Sequence, residues 1–108
     1  MSTPAFVIGN ITRDLQPGHT SDGTPVVNLS LADTTTTFWE VVVFGPQAEH
    51  ITATLVRGAR AIAVGTFRTR TWVGDDGQQR SRLEVVADQV GPSLRWATAQ
   101  VTKTATKS

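Results

Sequence analysis

The stretch AIAVGTFRTRTWVGDDGQQRSR, residues 61–82, predicts the β-hairpin around which the rest of the chain is organised. Its first arm is rich in β-branched and aromatic residues, which favour strands. Residues 74–77, with the sequence GDDG, supply the glycines and aspartates that let a chain reverse direction tightly. We therefore expect a long strand, a tight turn and a returning strand.

The side chains of this hairpin alternate between two faces. Arg68, Arg70 and Trp72 share one face of the first arm, and Arg80 and Arg82 share a parity on the returning arm. Guanidinium groups bind phosphates and aromatic rings stack on unpaired bases, so this pattern suggests a nucleic-acid ligand. A half-buried hairpin with a merely solvated charged face has the same pattern. The hairpin alone leaves both interpretations open.

The charge distribution favours a single contact surface. The chain has 108 residues, enough for one domain, and a formal net charge of only +1. Residues 1–56 contain one arginine and five acidic residues, whereas residues 57–82 contain six arginines and two aspartates. A local basic stripe on a nearly neutral protein predicts an electrostatic binding surface at one place.

The sequence offers no group suited to enzymatic chemistry. It has no cysteine, and His19 and His50 lack the spacing of metal ligands or a partner nucleophile. We expect no enzymatic activity, no metal and no cofactor. Neither a signal sequence nor a membrane-spanning apolar run is visible, which predicts a cytoplasmic, nucleoid-associated protein without membrane contact.

The remaining pattern predicts three strands and a helix before the hairpin. The strands span residues 5–12, 25–33 and 38–44, and the helix spans residues 46–57 with Gly58 just beyond its end. Residues 83–90 complete the fifth strand. An all-β chain with five strands and a helix between the third and fourth is typical of the OB-fold, a five-stranded Greek-key barrel that binds oligonucleotides on its strand face.

Three other segments carry weaker signals. Residues 14–25 predict a loop or a loosely paired hairpin, and residues 94–101 predict either a further strand or a short helix. Residues 1–101 are assigned to the OB-fold domain with its C-terminal extension, and residues 102–108 to a disordered tail. The four threonines at residues 34–37 are interpreted as a short turn and the start of the third strand.

At this point the chain resembles the bacterial single-stranded DNA-binding proteins. The resemblance rests on an ordered set of short motifs across residues 5–90: VIGN at 7–10, VVVFG at 41–45, RG at 57–58, GTFRTRTW at 65–72 and GQ at 77–78. The sequence GPSLRWATA at residues 91–99 resembles the segment that follows the domain in the actinobacterial branch. The resemblance implies a homotetramer of OB-folds that binds single-stranded DNA without sequence preference.

The resemblance also implies roles for individual residues. Positions that stack bases in the family are occupied here by Phe38, Phe44 and Trp72. Positions that carry phosphate-binding cations are occupied by Arg57, Arg68, Arg70 and Arg80, and the hairpin face adds Arg82. The resemblance places two further tryptophans, Trp39 and Trp96, at contacts between subunits.

The chain departs from the family pattern at three places. The loop between the second and third strands is short, and Glu40 and Pro46 stand where the best-known members have a cation, so the binding face is expected to be less positive. The acidic tail that recruits replication and repair proteins is missing after residue 101, which makes such recruitment doubtful. A tail-less paralogue, a phage-type member and a truncated domain all remain possible.

Sequence-independent binding of single-stranded DNA is therefore the predicted function, with a role in replication, recombination or repair. A primosomal-type OB adaptor that acts mainly through protein partners is the alternative. A more distant rival is an OB module that only joins subunits, with Phe38 and Phe44 buried at an interface.

Overall fold

A computed structural model of the chain describes residues 3–33 and 37–104. The elements, in chain order, are β1 (Pro4–Ile11), β2 (Gln16–His19), β3 (Pro25–Ala32), β4 (Phe38–Phe44), α1 (Pro46–Thr54), β5 (Arg60–Val73) and β6 (Gln79–Pro92). The strands form one sheet in the order β1-β5-β6-β4-β3-β2. Further pairing of β1 with β3 closes the sheet into a ring, and the predicted all-β barrel is confirmed.

The inward-facing side chains of the strands fill the interior of the barrel. Every second residue of β1 is buried, and the inward residues of the neighbouring strands are equally inaccessible. The helix α1 adds Ala48 and Ile51 to the same core. The largest fully buried side chains are Ile11, Val27, Leu29, Leu31, Val41, Val43 and Val85. The interior is therefore built almost entirely from aliphatic side chains.

Two glycines allow strands to approach closely. A Cβ atom on Gly9 would lie 2.6 Å from the carbonyl oxygen of Ala32, where β1 crosses to β3. A Cβ atom on Gly65 would lie 2.0 Å from the carbonyl oxygen of Val86, beside the bulge that interrupts the pairing of β5 with β6. Any larger residue at either position would force the backbone of the barrel to move.

The predicted hairpin is present, and its strands extend slightly beyond the residues 61–90 that the sequence predicts for it. The arms β5 and β6 each contain 14 residues and pair antiparallel along their length. In the turn, Gly77 has a φ of 79°, and the Gly77 amide donates to the carbonyl oxygen of Gly74 at 2.9 Å. The glycine at residue 77 therefore supplies the left-handed conformation that the reversal needs.

Residues 14–25 form a real hairpin, since β2 pairs with β3. This short strand is the sixth of the sheet and lies at its edge, where all four of its residues are exposed. The sequence allowed such a hairpin as one of two interpretations.

The predicted end of the helix is wrong. The helix stops at Thr54, because Leu55 adopts an extended conformation and is buried. The following residues form a turn in which Gly58 has a φ of 94° and donates its amide to the carbonyl oxygen of Ile11 at 2.8 Å. Docking of this turn on β1 replaces the hydrogen bonds that a longer helix would have made.

The prediction of a strand or short helix at residues 94–101 is also wrong. These residues form bends and irregular backbone, and they are exposed. Their sequence lacks the inward-facing alternation that would let a strand or helix bury one side. Residues 102–104 are exposed and irregular, whereas the rest of the predicted tail, residues 105–108, and the threonines 34–36 lie outside the described residues.

Candidate nucleic-acid interface

The hairpin places the predicted basic and aromatic residues directly opposite one another. Trp72 pairs with Arg80, and Arg70 pairs with Arg82. Directly opposed residues in a sheet project from the same face, so the four side chains share one surface. The alternation predicted for the first arm therefore extends across both arms.

Trp72 is the centre of this surface. The guanidinium carbon of Arg70 lies 5.8 Å from the centroid of the indole ring, and that of Arg82 lies 5.6 Å from it. Both distances are within the range of cation–π attraction. The two arginines hold the ring in place and set positive charge beside a flat aromatic surface, which suits a base flanked by phosphates.

Strand β4 contributes the neighbouring part of the surface. Its outward residues include Phe38 and Phe44, with exposed fractions of 57% and 39%. Glu40 lies between them, and its Oε1 is 3.7 Å from Nη1 of Arg82. Because Arg82 also contacts Trp72, it joins β4 to the hairpin. The structure thus brings the predicted aromatic residues of both regions onto one continuous face.

Two carboxylates on this face hold arginines. Glu84 is only 6% exposed and accepts a hydrogen bond from Nε of Arg68 at 3.0 Å, with a second contact from Nη2. Glu40 accepts hydrogen bonds from Arg13 at 2.9 and 3.2 Å. Positive charge on the face is therefore partly neutralised from within the chain.

Glu40 stays ionised under ordinary conditions. Burial works to raise the pKa of its carboxyl, but the hydrogen bonds and charge of Arg13, with the charge of Arg82 and a hydrogen bond from Ser30, hold that pKa below its ordinary value. The same hydrogen bonds raise the pKa of Arg13. The charged Glu40 therefore competes with a phosphate for the guanidinium groups of Arg13 and Arg82.

Sequence reasoning missed Glu84 and Arg13 as members of this surface. Glu84 has the same parity as Arg80 and Arg82, and a charged residue in the middle of a strand is a signal that could have been followed. Arg13 had no such signal, because its partner Glu40 lies 27 positions away.

The other predicted arginines differ in their surroundings. Arg80 pairs with Asp76 of the turn at 2.7 Å. Arg57 lies in the turn that precedes β5, at the opposite end of that strand from Arg70 and Trp72. The structure therefore does not place Arg57 beside the hairpin face.

The two tryptophans predicted at subunit contacts lie in different environments. Trp39 packs against Phe67 with ring centroids 5.8 Å apart and an angle of 44° between the rings, and both rest on the barrel core. Trp96 is 72% exposed and lies beside Arg60 and Arg95. A subunit contact remains a prediction for both.

Within residues 3–33 and 37–104, no three His, Cys, Asp or Glu side chains are grouped so that they could hold a metal ion. In the same part of the chain, no helix has the length and apolar character needed to cross a membrane.

Comparison with known proteins agrees with this geometry. The family model described as "Single-strand binding protein family" matches residues 3–93. A single-stranded DNA-binding protein of Mycobacterium leprae is 34% identical over 115 residues, which cover 94% of this chain and 68% of that protein. Similar proteins with the same name occur in Paenarthrobacter nicotinovorans, at 34% identity over 94% of this chain and 68% of the relative, and in Mycolicibacterium smegmatis, at 33% over 94% and 70%.

Proposed function

This chain belongs to the single-strand binding protein family, and we propose that it binds single-stranded DNA across the outward face of β4, β5 and β6. Because members of this family have the OB-fold, the barrel is assigned to that fold. The observation that supports the location is the half-buried indole of Trp72 on the outward face, with the guanidinium groups of Arg70 and Arg82 beside it. Among the described residues of this face, no other arrangement combines a ring with two cations.

Binding follows from two physical terms. A base stacked on Trp72, Phe38 or Phe44 gains about 1–3 kcal/mol, and every base has a flat face, so stacking is independent of sequence. Arg70, Arg82 and Arg80 contact phosphates between the bases. Each phosphate neutralised on a single strand adds about −0.7 to the slope of log K against log salt concentration.

The biological role that fits such a ligand is protection of exposed single strands during replication, recombination or repair. The family consists of DNA-binding proteins and not enzymes, and this chain is one of them. Its action on chromosomal DNA would place it in the cytoplasm, at the nucleoid. An adaptor that acts mainly through protein partners is not favoured, since the similar proteins are named for DNA binding.

The protein is also proposed to form a homo-oligomer, in which four copies would add their contacts through avidity. Support comes from the outward face of β1, where Phe6 is 78% exposed and Ile8 lies directly opposite the exposed Ile62 of β5. An exposed apolar patch of this kind is typical of a protein contact. Among residues 3–33 and 37–104, β1 pairs with β5 along one edge and, on its other edge, with β3 only through Asn10 and Ile11. Most of that second edge is therefore open to a second copy.

The proposed function is tested by titrating labelled oligo-dT with the protein at two salt concentrations and measuring fluorescence anisotropy. Trp72→Ala is expected to weaken binding about tenfold, since one stacked base is lost. Val73→Ala is the matched control, because Val73 is an exposed neighbour on the opposite face of β5. Equal affinity of Trp72→Ala and the wild type, or absence of binding at low salt, would contradict the proposal and favour a module that only joins subunits.

A further inference from the structure

A second group of aromatic and basic side chains lies away from the hairpin face, around Trp96. The guanidinium carbons of Arg60 and Arg95 lie 5.1 Å and 4.9 Å from the centroid of the Trp96 ring. The indole nevertheless remains 72% exposed. The arrangement repeats the one at Trp72, where two arginines also flank one indole.

The backbone holds this group at the start of β5. Arg60 pairs with Asn10 of β1, and the Ser93 amide donates to the carbonyl oxygen of Arg60 at 2.8 Å. The irregular segment after β6 is thereby fixed to the barrel just before Trp96. The ring lies over Arg60 as a consequence of this attachment.

The charge of the group is not compensated. Within the described part of the chain, neither Arg60 nor Arg95 forms an ion pair, and the same is true of Arg57 in the adjoining turn. On the hairpin face, by contrast, Arg68 and Arg82 both have carboxylate partners. The surroundings of Trp96 are therefore freer to bind an anion than most of the hairpin face.

A groove of about 490 Å³ adjoins the ring. Its lining includes Trp96, Arg60 and the neutral polar residues Asn10, Ser93 and Gln100. Side chains of this kind can hydrogen-bond to the edges of an unpaired base. The groove thus combines a stacking ring, cations and neutral polar groups in one place.

We propose that Trp96, Arg60 and Arg95 form a second stacking site for single-stranded DNA. The inference rests on the proposed function, and it assigns to the segment after β6 a direct contact with the ligand. A base that stacks on Trp96 displaces one guanidinium from the ring. This exchange is favourable, because base stacking contributes more than an exposed cation–π contact and the displaced arginine then pairs with a phosphate.

This site is separate from the one at Trp72. Arg60 and Trp72 lie near opposite ends of β5, and the strand between them has a contour length of about 40 Å at the rise of an extended strand. One base cannot contact both tryptophans. A DNA strand that reaches both must run along the length of β5, so the second site lengthens the path of DNA on each copy of the chain.

Tryptophan fluorescence can separate the two sites, since the chain has three tryptophans. In Trp72→Phe, oligo-dT is expected to quench the fluorescence of Trp96. In Trp96→Phe, it is expected to quench that of Trp72. The double variant, which retains only Trp39 packed on the core, gives the background. Light scattering on each variant records the oligomeric state.

Affinity provides an independent measurement. Trp96→Ala is expected to weaken binding of long oligo-dT about tenfold. Replacing Arg60 and Arg95 together by alanine should make the salt dependence shallower by about 0.7 for each phosphate that the protein no longer neutralises. Lys103→Ala removes a charge without touching Trp96 and should leave both quantities unchanged.

The outcomes distinguish the two proposals. If oligo-dT quenches the fluorescence of the Trp96→Phe variant but changes that of Trp72→Phe no more than that of the double variant, the second site is refuted and the proposed function stands. If neither variant is quenched, both proposals fail. If Trp96→Ala changes the oligomeric state and Trp72→Phe is not quenched, Trp96 is a subunit contact and the second site is refuted.

Discussion

The guanidinium of Arg68 covers the buried carboxylate of Glu84, with Nε of Arg68 3.0 Å from Oε1 of Glu84. The two residues lie directly opposite each other on β5 and β6. Because Glu84 is only 6% exposed, the arginine is its main source of compensation. Arg68 therefore has a structural task that its neighbour Arg70, which forms no ion pair in the described part of the chain, does not have.

Arg68→Ala is expected to lower the free energy of unfolding by about 1–3 kcal/mol, since it leaves a buried carboxylate without its partner. Arg70→Ala should change that free energy by less than about 0.5 kcal/mol. Urea denaturation measures both. The salt dependence of oligo-dT binding should change in the reverse order. The slope of log K against log salt concentration should become shallower in Arg70→Ala than in Arg68→Ala. Equal losses of stability would mean that Glu84 does not depend on Arg68.

Glu40→Gln is expected to raise the affinity for oligo-dT about two- to fivefold at low salt. The substitution keeps the shape of the side chain and removes the charge that competes with phosphate for Arg82 and Arg13. Glu49→Gln is the control, because it removes the same charge from an exposed position on α1. An equal gain in both variants would show that only net charge matters, and no gain would show that Glu40 does not restrain these arginines.

The contribution of Glu40 to stability is expected to depend on pH in the acid range. Its pKa is lower in the folded chain than the ordinary value of 4.5, so the folded state favours the ionised form. The contribution is fully present above pH 4.5 and is lost as the pH falls through the lower, folded pKa. The difference in free energy of unfolding between wild type and Glu40→Gln should shrink over that window. A difference that stays constant into strong acid would contradict the ion pair with Arg13.

Phe6→Glu is expected to shift the protein toward smaller species in light scattering. The substitution places a charge in the exposed apolar patch of β1, where it would lose water on contact with a second copy. Val56→Glu is the matched control, since Val56 is a similarly exposed apolar residue in the turn after α1. Unchanged assembly in Phe6→Glu would exclude this face of β1 as the contact.

The strands were predictable because their signal is local. Alternation in β3 places Val27, Leu29 and Leu31 inward whatever lies beside the strand. The parity of Arg68, Arg70 and Trp72 likewise puts these side chains on one face of the hairpin. The order of the motifs was enough to identify the family. These features depend on neighbours two residues apart, which the sequence contains explicitly.

The tertiary structure decided which charges meet. Glu40 reaches Arg13 and Arg82 because β4 lies between β3 and β6, an order that no local pattern reveals. The end of α1 and the position of Trp96 over Arg60 likewise depend on backbone hydrogen bonds to distant strands. The sequence thus determined the strands, their faces and the family. Arg80 has its counter-ion, Asp76, four positions away in the turn. For Arg13, Arg68 and Arg82, only the packing of the barrel decided the partner, because Glu40 and Glu84 are brought to them by strand pairing and not by short spacing along the chain.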